Sequence, residues 1–296
     1  MSSPVLQAEH LSKRYGRREA LSDCTLSIPP GHVVGLVGPN GAGKTTLLQL
    51  AVGLLRPTAG AISVLGGRPA SGGPQLAKVG FVAQDAPTYA SLSVDDHLRF
   101  GAHTNPGWNQ QLAADRIAQL GLDLSQKAGK LSGGQRAQLS LTLAIAKSPE
   151  LLILDEPVAS LDPLARREFL QALMGFVADR RASVILSSHL VSDLERVCDF
   201  LIVLVASRVR IAGEVENLLA THYRLIGPRR DPADLPPGVD VIEASYTDRQ
   251  STLIVRSATP IHDPSFAVEL ITMEDLVLAY MAQATTSRQP VLETIR

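Results

Sequence analysis

Three observations predict an α/β fold built on a mostly parallel sheet. Residues 33–37, 79–83, 151–154 and 184–186 are nearly continuous apolar runs, the pattern of central strands covered on both faces. Helical periodicity fills the intervals between them, and alternation of strand with helix is how a parallel sheet reads in a chain. A glycine-rich stretch, GPNGAGKTT, joins the first run to a helix.

The N-terminal stretch MSSPVLQAEHLSKRYG lacks the apolar core of a secretory signal. Between residues 20 and 28, Cys24, Leu26 and Ile28 alternate with polar residues, as in a half-buried antiparallel strand, so an antiparallel β unit is expected at the N-terminus. Behind the glycines, Leu47, Leu50, Ala51 and Leu54 recur at i, i+3, i+4 and i+7 and give one helix face. From 85 to 149 the pattern is helical without a clear strand, which predicts a helical subdomain inserted into the core. Asp162 and Pro163 read as an N-cap and a first-turn proline, with Phe169, Leu170, Leu173 and Phe176 as the inward stripe. The strongest apolar run, 200–206, falls far short of the roughly 20 residues of a membrane-spanning helix and reads as a buried strand.

Near Arg229 the stretch RRDPADLPPG is charged and proline-rich, a linker or surface loop at which a second unit begins. Short strands at 239–243 and 252–255 follow, then a helix in TMEDLVLAYM with Thr272 and Asp275 spaced as a capping box. That is too little for a large independent core, so this α+β extension is expected to dock on the main domain. The expected division is 1–222 for the main domain and 223–296 for the accessory one.

The 296 residues, 45% of them hydrophobic, suffice for one large domain plus a smaller one. Lys and Arg number 28 against 29 Asp and Glu, which leaves no net positive field to draw the protein to nucleic acid or anionic lipid. Two cysteines, Cys24 and Cys198, match neither a disulfide framework nor a metal spacing and read as buried thiols in a reducing compartment.

GPNGAGKT fits G-x-x-x-x-G-K-[ST] in the context that motif needs, after the strand VVGLV and before an amphipathic helix. Gly38, Pro39, Asn40, Gly41, Ala42 and Gly43 form a loop whose N–H groups, with the helix N-terminus behind them, favour bound phosphates. Lys44 then reaches the β- and γ-phosphates, and Thr45, followed by Thr46, can ligate magnesium. LLILDEP sets Asp155 at the end of an apolar strand, where a carboxylate is costly unless it meets a cation, and a magnesium-bound nucleotide supplies one. Glu156 comes next and can polarise water toward the γ-phosphate. In LSGGQRAQLSLTLAIA, Ser132 reads as an N-cap and Leu139, Leu143 and Ala146 as a stripe, so Gly133 and Gly134 open a second anion-binding helix end.

LSGGQ, together with GPNGAGKT, LLILDEP and SLD in that order, resembles the ATP-binding cassette, or ABC, ATPases over about residues 5–219. The resemblance implies a P-loop NTPase core in which two cassettes close head to tail around two nucleotides. Ser132, Gly133, Gly134 and Gln135 would contact the γ-phosphate of ATP held by the opposite subunit, with Ser132 and Gly134 as donors. Tyr15 matches the aromatic that stacks on adenine, and His189 the switch histidine that bonds the γ-phosphate. Gln84 matches the loop glutamine that approaches magnesium and the attacking water and faces the membrane partner. Asp162 matches the aspartate of the loop between subunits, a reading as good as its N-cap role. Val158 and the Ala159-Ser160 order depart from the family's commoner residues without touching this chemistry.

The resemblance therefore implies an ATPase using ATP and Mg2+, with Glu156, His189 and Gln84 catalytic and Thr45, Gln84 and Asp155 at the metal. Its partners would be integral membrane permease subunits and a second cassette, identical or not, with no direct nucleic-acid contact. It would lie in the cytoplasm, attached through its permease to the inner face of the membrane. The nearest likeness is to stand-alone cassettes of bacterial drug, antibiotic or polysaccharide exporters, whose extensions end in a helix like ITMEDLVLAY. A soluble ABC ATPase acting on ribosomes or DNA is the alternative; such proteins resemble tandem cassettes or cassettes split by coiled coils, and neither a second phosphate loop nor heptads occur here. A P-loop kinase or GTPase would leave LSGGQ and His189 unexplained.

Overall fold

The computed structural model describes residues 3–85, 88–180, 182–230 and 235–286. In chain order its elements are β1 (Leu6–Tyr15), β2 (Arg18–Ile28), β3 (Val33–Val37), α1 (Lys44–Ala51), β4 (Ala59–Val64), α2 (Gly73–Ala77), β5 (Val79–Val82), α3 (Val94–Thr104), α4 (Gln110–Gln119) and α5 (Gly133–Ala146). Then come β6 (Leu151–Leu154), α6 (Pro163–Arg180), β7 (Ser183–Ser188), α7 (Val191–Leu194), β8 (Phe200–Val205), β9 (Arg208–Glu214) and α8 (Val215–Ala220). The last are β10 (His222–Pro228), β11 (Val239–Tyr246), β12 (Gln250–Ser257), β13 (Ala267–Leu270) and α9 (Met273–Thr286).

The apolar runs assemble into a six-stranded sheet of order β5-β6-β7-β3-β8-β9, parallel throughout except for β9. Every residue of β3, β6, β7 and β8 is buried, which is why β3, β6, β8 and the centre of β7 are apolar on both faces. β5 corrects one expectation: it is the edge strand and only half-buried. Its run is apolar because α5 packs close over it. A Cβ on Gly80 would lie 2.9 Å from Leu152 and 3.1 Å from the Ala144 carbonyl oxygen.

Ahead of this sheet, β2-β1-β4 form an antiparallel sheet, with Cys24, Leu26 and Ile28 buried as their alternation requires. The α1 stripe is shorter than its periodicity suggests. Val52 caps the helix, Gly53 turns the chain at φ +77°, and Leu54 is left 66% exposed. Between β5 and β6 the described residues form α3, α4 and α5 without a strand, around a core that includes Leu98, Ile117 and Leu139. The Asp162 carboxylate accepts from the N–H groups of Leu164 and Ala165, both at 3.0 Å, and the α6 stripe is buried in the main core. Cys24 is buried and Cys198 partly so; burial pushes both thiols above their usual range.

The antiparallel sheet β11-β12-β10-β13 starts at His222. The proline-rich stretch near Arg229 therefore connects β10 to β11 within this sheet and does not precede it; residues 231–234 of that stretch lie outside the described residues. Composition marks a loop there, but cannot reveal that a strand before it pairs with one after it. The sheet has a small core of Leu225, Leu253, Val255 and Phe266. Helix α9 opens with the Thr272–Asp275 capping box and buries Leu276, Val277 and Ala279 in the main core instead.

Candidate active site

β3 runs straight into the glycine loop and α1 leaves it, so backbone N–H groups converge where the strand ends. Gly38 is required by space, and Gly43 by space as well as by conformation. A Cβ on Gly38 would stand 2.0 Å from the Leu204 carbonyl oxygen, and one on Gly43, at φ +110°, would stand 2.3 Å from that of Ala20. Packed between two strands, the loop has no room for side chains on its inner wall. The Lys44 ammonium, 5% exposed, donates to the Gly38 carbonyl at 2.8 Å and so is folded back along the loop.

Asp155 leaves the end of β6 with its side chain buried. Its carboxylate accepts from the Ser187 hydroxyl at 2.8 Å, and that same oxygen of Ser187 accepts from the Glu156 N–H at 2.8 Å. Ser187, passed over in the sequence reading, thus ties both acidic residues to β7. The available signal was a hydroxyl two positions before His189, directly after the apolar run VIL. Glu156 sits at φ +46°, where non-glycine residues are rare and strain accompanies functional geometry. One of its oxygens lies 3.2 Å from Lys44 Nζ and the other 3.0 Å from His189 Nδ1, a hydrogen bond for the Nδ1–H tautomer.

Tyr15, Asn40, Gly41, Gly43, Lys44, Thr45, Thr46, Gln84, Glu156 and His189 line one cavity of about 610 Å³. Gly38, Pro39 and Ala42 complete the loop without lining it, and Asp155 lies beneath. One face of the Tyr15 ring carries the Lys13 ammonium at 5.3 Å from the centroid, and the side chain is otherwise open to the cavity mouth.

Ser132, Gly133, Gly134 and Gln135 are not part of this wall. They open α5, where the Ser132 hydroxyl accepts from the Gln135 N–H at 3.1 Å and the Gln135 side-chain oxygen accepts from the Ser132 N–H at 2.9 Å. Ser132, Gly133 and Gln135 are exposed, and the Ser132 O–H remains able to donate. Gly134 also has a packing reason, since a Cβ there would meet that of Ala165 at 3.0 Å.

The arrangement can hold a polyphosphate along the loop and set a carboxylate and an imidazole beside its terminal phosphate. Thr45 and Asp155 are hard oxygen donors, suited to a magnesium ion that keeps waters and substrate phosphates in its shell. Among the described residues no three His, Cys, Asp or Glu gather into a self-sufficient metal site, and no helix is long and apolar enough to cross a membrane.

A family profile described as ABC transporter matches residues 21–159, which span the phosphate loop, Gln84, the α5 N-terminus and both acidic residues. The lantibiotic transport ATP-binding protein SrtF of Streptococcus pyogenes is 33% identical over 199 residues, 67% of this chain and 85% of that one. The phosphonates import ATP-binding protein PhnC of Maricaulis maris is 32% identical over 236 residues, 72% of this chain and 89% of that one. A solved structure of an ATP-binding subunit of an ABC transporter superposes with a TM-score of 0.65 at 30% identity, covering 73% of this chain and 92% of the other. Likeness over nearly the whole length of such subunits, with the motifs brought into one cavity, establishes that the chain belongs to the ABC transporter family as an ATP-binding ATPase.

Proposed function

We propose that this chain is the ATP-hydrolysing subunit of a transporter, and that it works as a head-to-tail cassette pair driving separate integral membrane permeases. One observation carries the reading: among the described residues two helices, α1 and α5, open on the glycines of a motif, and of these two only α1 lines the cavity. The other, capped and exposed at Ser132, supports a role toward a nucleotide on a second cassette.

In this reading Tyr15 stacks on adenine and the loop from Gly38 to Thr46 cradles the phosphates, with Lys44 neutralising their charge. Glu156 orients and deprotonates the attacking water, while His189 bonds the γ-phosphate and holds the Glu156 carboxylate in place across 3.0 Å. Thr45, Gln84 and Asp155 would hold Mg2+, which would supply charge stabilisation for phosphoryl transfer. Ser132, Gly133, Gly134 and Gln135 of the partner cassette close over the γ-phosphate. ATP binding joins the pair and hydrolysis separates it, a cycle the permease converts into transport at the inner face of the membrane. The relatives named above include a lantibiotic transport protein and a phosphonate importer; export is the direction favoured by the exporter-like helix in ITMEDLVLAY.

Mixing a Ser132→Arg subunit with a Lys44→Ala subunit tests the pairing. In a head-to-tail dimer both lesions fall on one interface and leave the other intact, so the mixture should hydrolyse ATP faster than either parent alone. No gain on mixing would reject the composite site.

A further inference from the structure

Tyr15 and Arg18 face each other in register across the two-residue turn joining β1 to β2. Gly16 makes that turn at φ +56°, and a tight hairpin fixes which side chains stand opposite. Both enter the wall of the nucleotide cavity as a pair. The Arg18 guanidinium reaches over the phosphate loop, where a Cβ on Gly41 would lie 3.2 Å from its Nη2. Neighbouring arginines are engaged, Arg14 with Glu19 at 3.0 Å and Arg208 with Asp23 at 3.9 Å. Arg18 makes no ion pair with any described residue.

The charge balance of the cavity gives this guanidinium a task. Against the single lysine, Lys44, stand two carboxylates, Glu156 in the wall and Asp155 beneath it. A magnesium-bound triphosphate is itself anionic, so it enters a site whose fixed charges sum to a negative value unless a second cation faces it. A guanidinium is always charged and offers a planar fork that matches phosphate oxygens.

We propose that Arg18 is a phosphate-binding residue of the nucleotide site, closing over the polyphosphate from the side of Asn40 and Gly41 while Tyr15 holds the base. The assignment rests on reading the cavity as the ATP site. Its test is calorimetric titration of the purified chain with Mg2+ and a non-hydrolysable ATP analogue. Arg18→Ala should raise the Kd about tenfold, the loss typical of one charge-assisted contact, and Arg18→Lys should recover part of it. Arg17→Ala removes the same charge one residue away, in the adjoining groove and outside this cavity, and should change the Kd less than twofold. Melting without nucleotide should not change in Arg18→Ala, because the side chain is exposed.

An unchanged Kd in Arg18→Ala, or an equal loss in Arg17→Ala, would overturn the contact, the second because it would show only a long-range field. Lys44→Ala separates the two levels. If it abolishes binding while Arg18→Ala does not affect it, the Arg18 assignment alone fails; if it binds normally, the cavity is not the ATP site.

Discussion

Removing the Ser187 hydroxyl tests how the site is built. Ser187 is fully buried, and its single oxygen donates to the Asp155 carboxylate and accepts from the Glu156 N–H, both at 2.8 Å. Ser187→Ala deletes both bonds in a place water does not reach. A hydrogen bond to a charged group contributes about 1.5–3 kcal/mol, and a buried N–H left unpaired costs about 1–3 kcal/mol. Because one atom serves both partners the two do not simply add, and the expected loss is about 2–4 kcal/mol. At roughly 2–4 °C per kcal/mol for chains of a few hundred residues, Tm should fall on the order of 10 °C. Turnover should fall further than stability explains, because the strained backbone of Glu156 loses the bond that pins it. A displacement of about 1 Å at a reacting group costs on the order of a hundredfold. Calorimetric melting and steady-state ATPase rates on the same preparation measure both. A variant that melts within about 1 kcal/mol of wild type and hydrolyses ATP at an unchanged rate would refute the idea that β7 positions the acidic pair.

Glu156→Gln keeps the shape and removes the base, so turnover should drop about 10²- to 10⁴-fold while ATP affinity is retained; wild-type turnover would remove Glu156 from the mechanism. Leu276 is fully buried where α9 meets the main core, and Leu276→Ala should cost about 2–5 kcal/mol in urea unfolding. A change below about 1 kcal/mol would show that α9 does not contribute to that core. His222 is buried with its Nδ1–H donating to the Leu218 carbonyl at 2.7 Å and its Nε2 accepting from the Tyr280 hydroxyl at 3.0 Å, and burial holds its pKa below the usual 6.5. Above that value the unfolded chain is also neutral at this position and the packing contributes in full. As pH falls below 6.5 toward the lowered value, the unfolded state takes up a proton that the folded state resists, and stability is lost. His222→Gln should therefore flatten the dependence of unfolding free energy on pH between about 7.5 and 5; an identical slope in the variant would assign the effect elsewhere.

Much of the fold was legible because its signals are local. Continuous burial writes an apolar run into β3, β6, β7 and β8, and the Asp162, Ser132 and Thr272 caps each depend on residues within one turn. Edge position is not local. β5 has the same apolar character as the central strands because a helix covers it, and only the pairing with β6 alone shows it to be the margin of the sheet. The same limit hid that the proline-rich loop lies inside the C-terminal sheet, since β10, before the loop, pairs with β12, beyond it. At the site, the residues with motif spacing were readable, whereas Ser187 and Arg18 meet the other site residues only through segments far apart in the chain.

The amino-acid order by itself determined the phosphate-loop motif, because a glycine loop, a lysine and a hydroxyl at the start of a helix lie within nine residues. It also determined the nature of the acidic pair and of the second helix end, whose motifs are each short and continuous. Only the tertiary structure decided which of these meet. Lys44, Glu156 and His189 converge because β3, β6 and β7 lie side by side in one sheet, while Ser132 stays outside because α5 belongs to the helical insertion. Spacing in sequence sets chemistry along one segment, but distance between segments is set by which strands pair and which faces they bury.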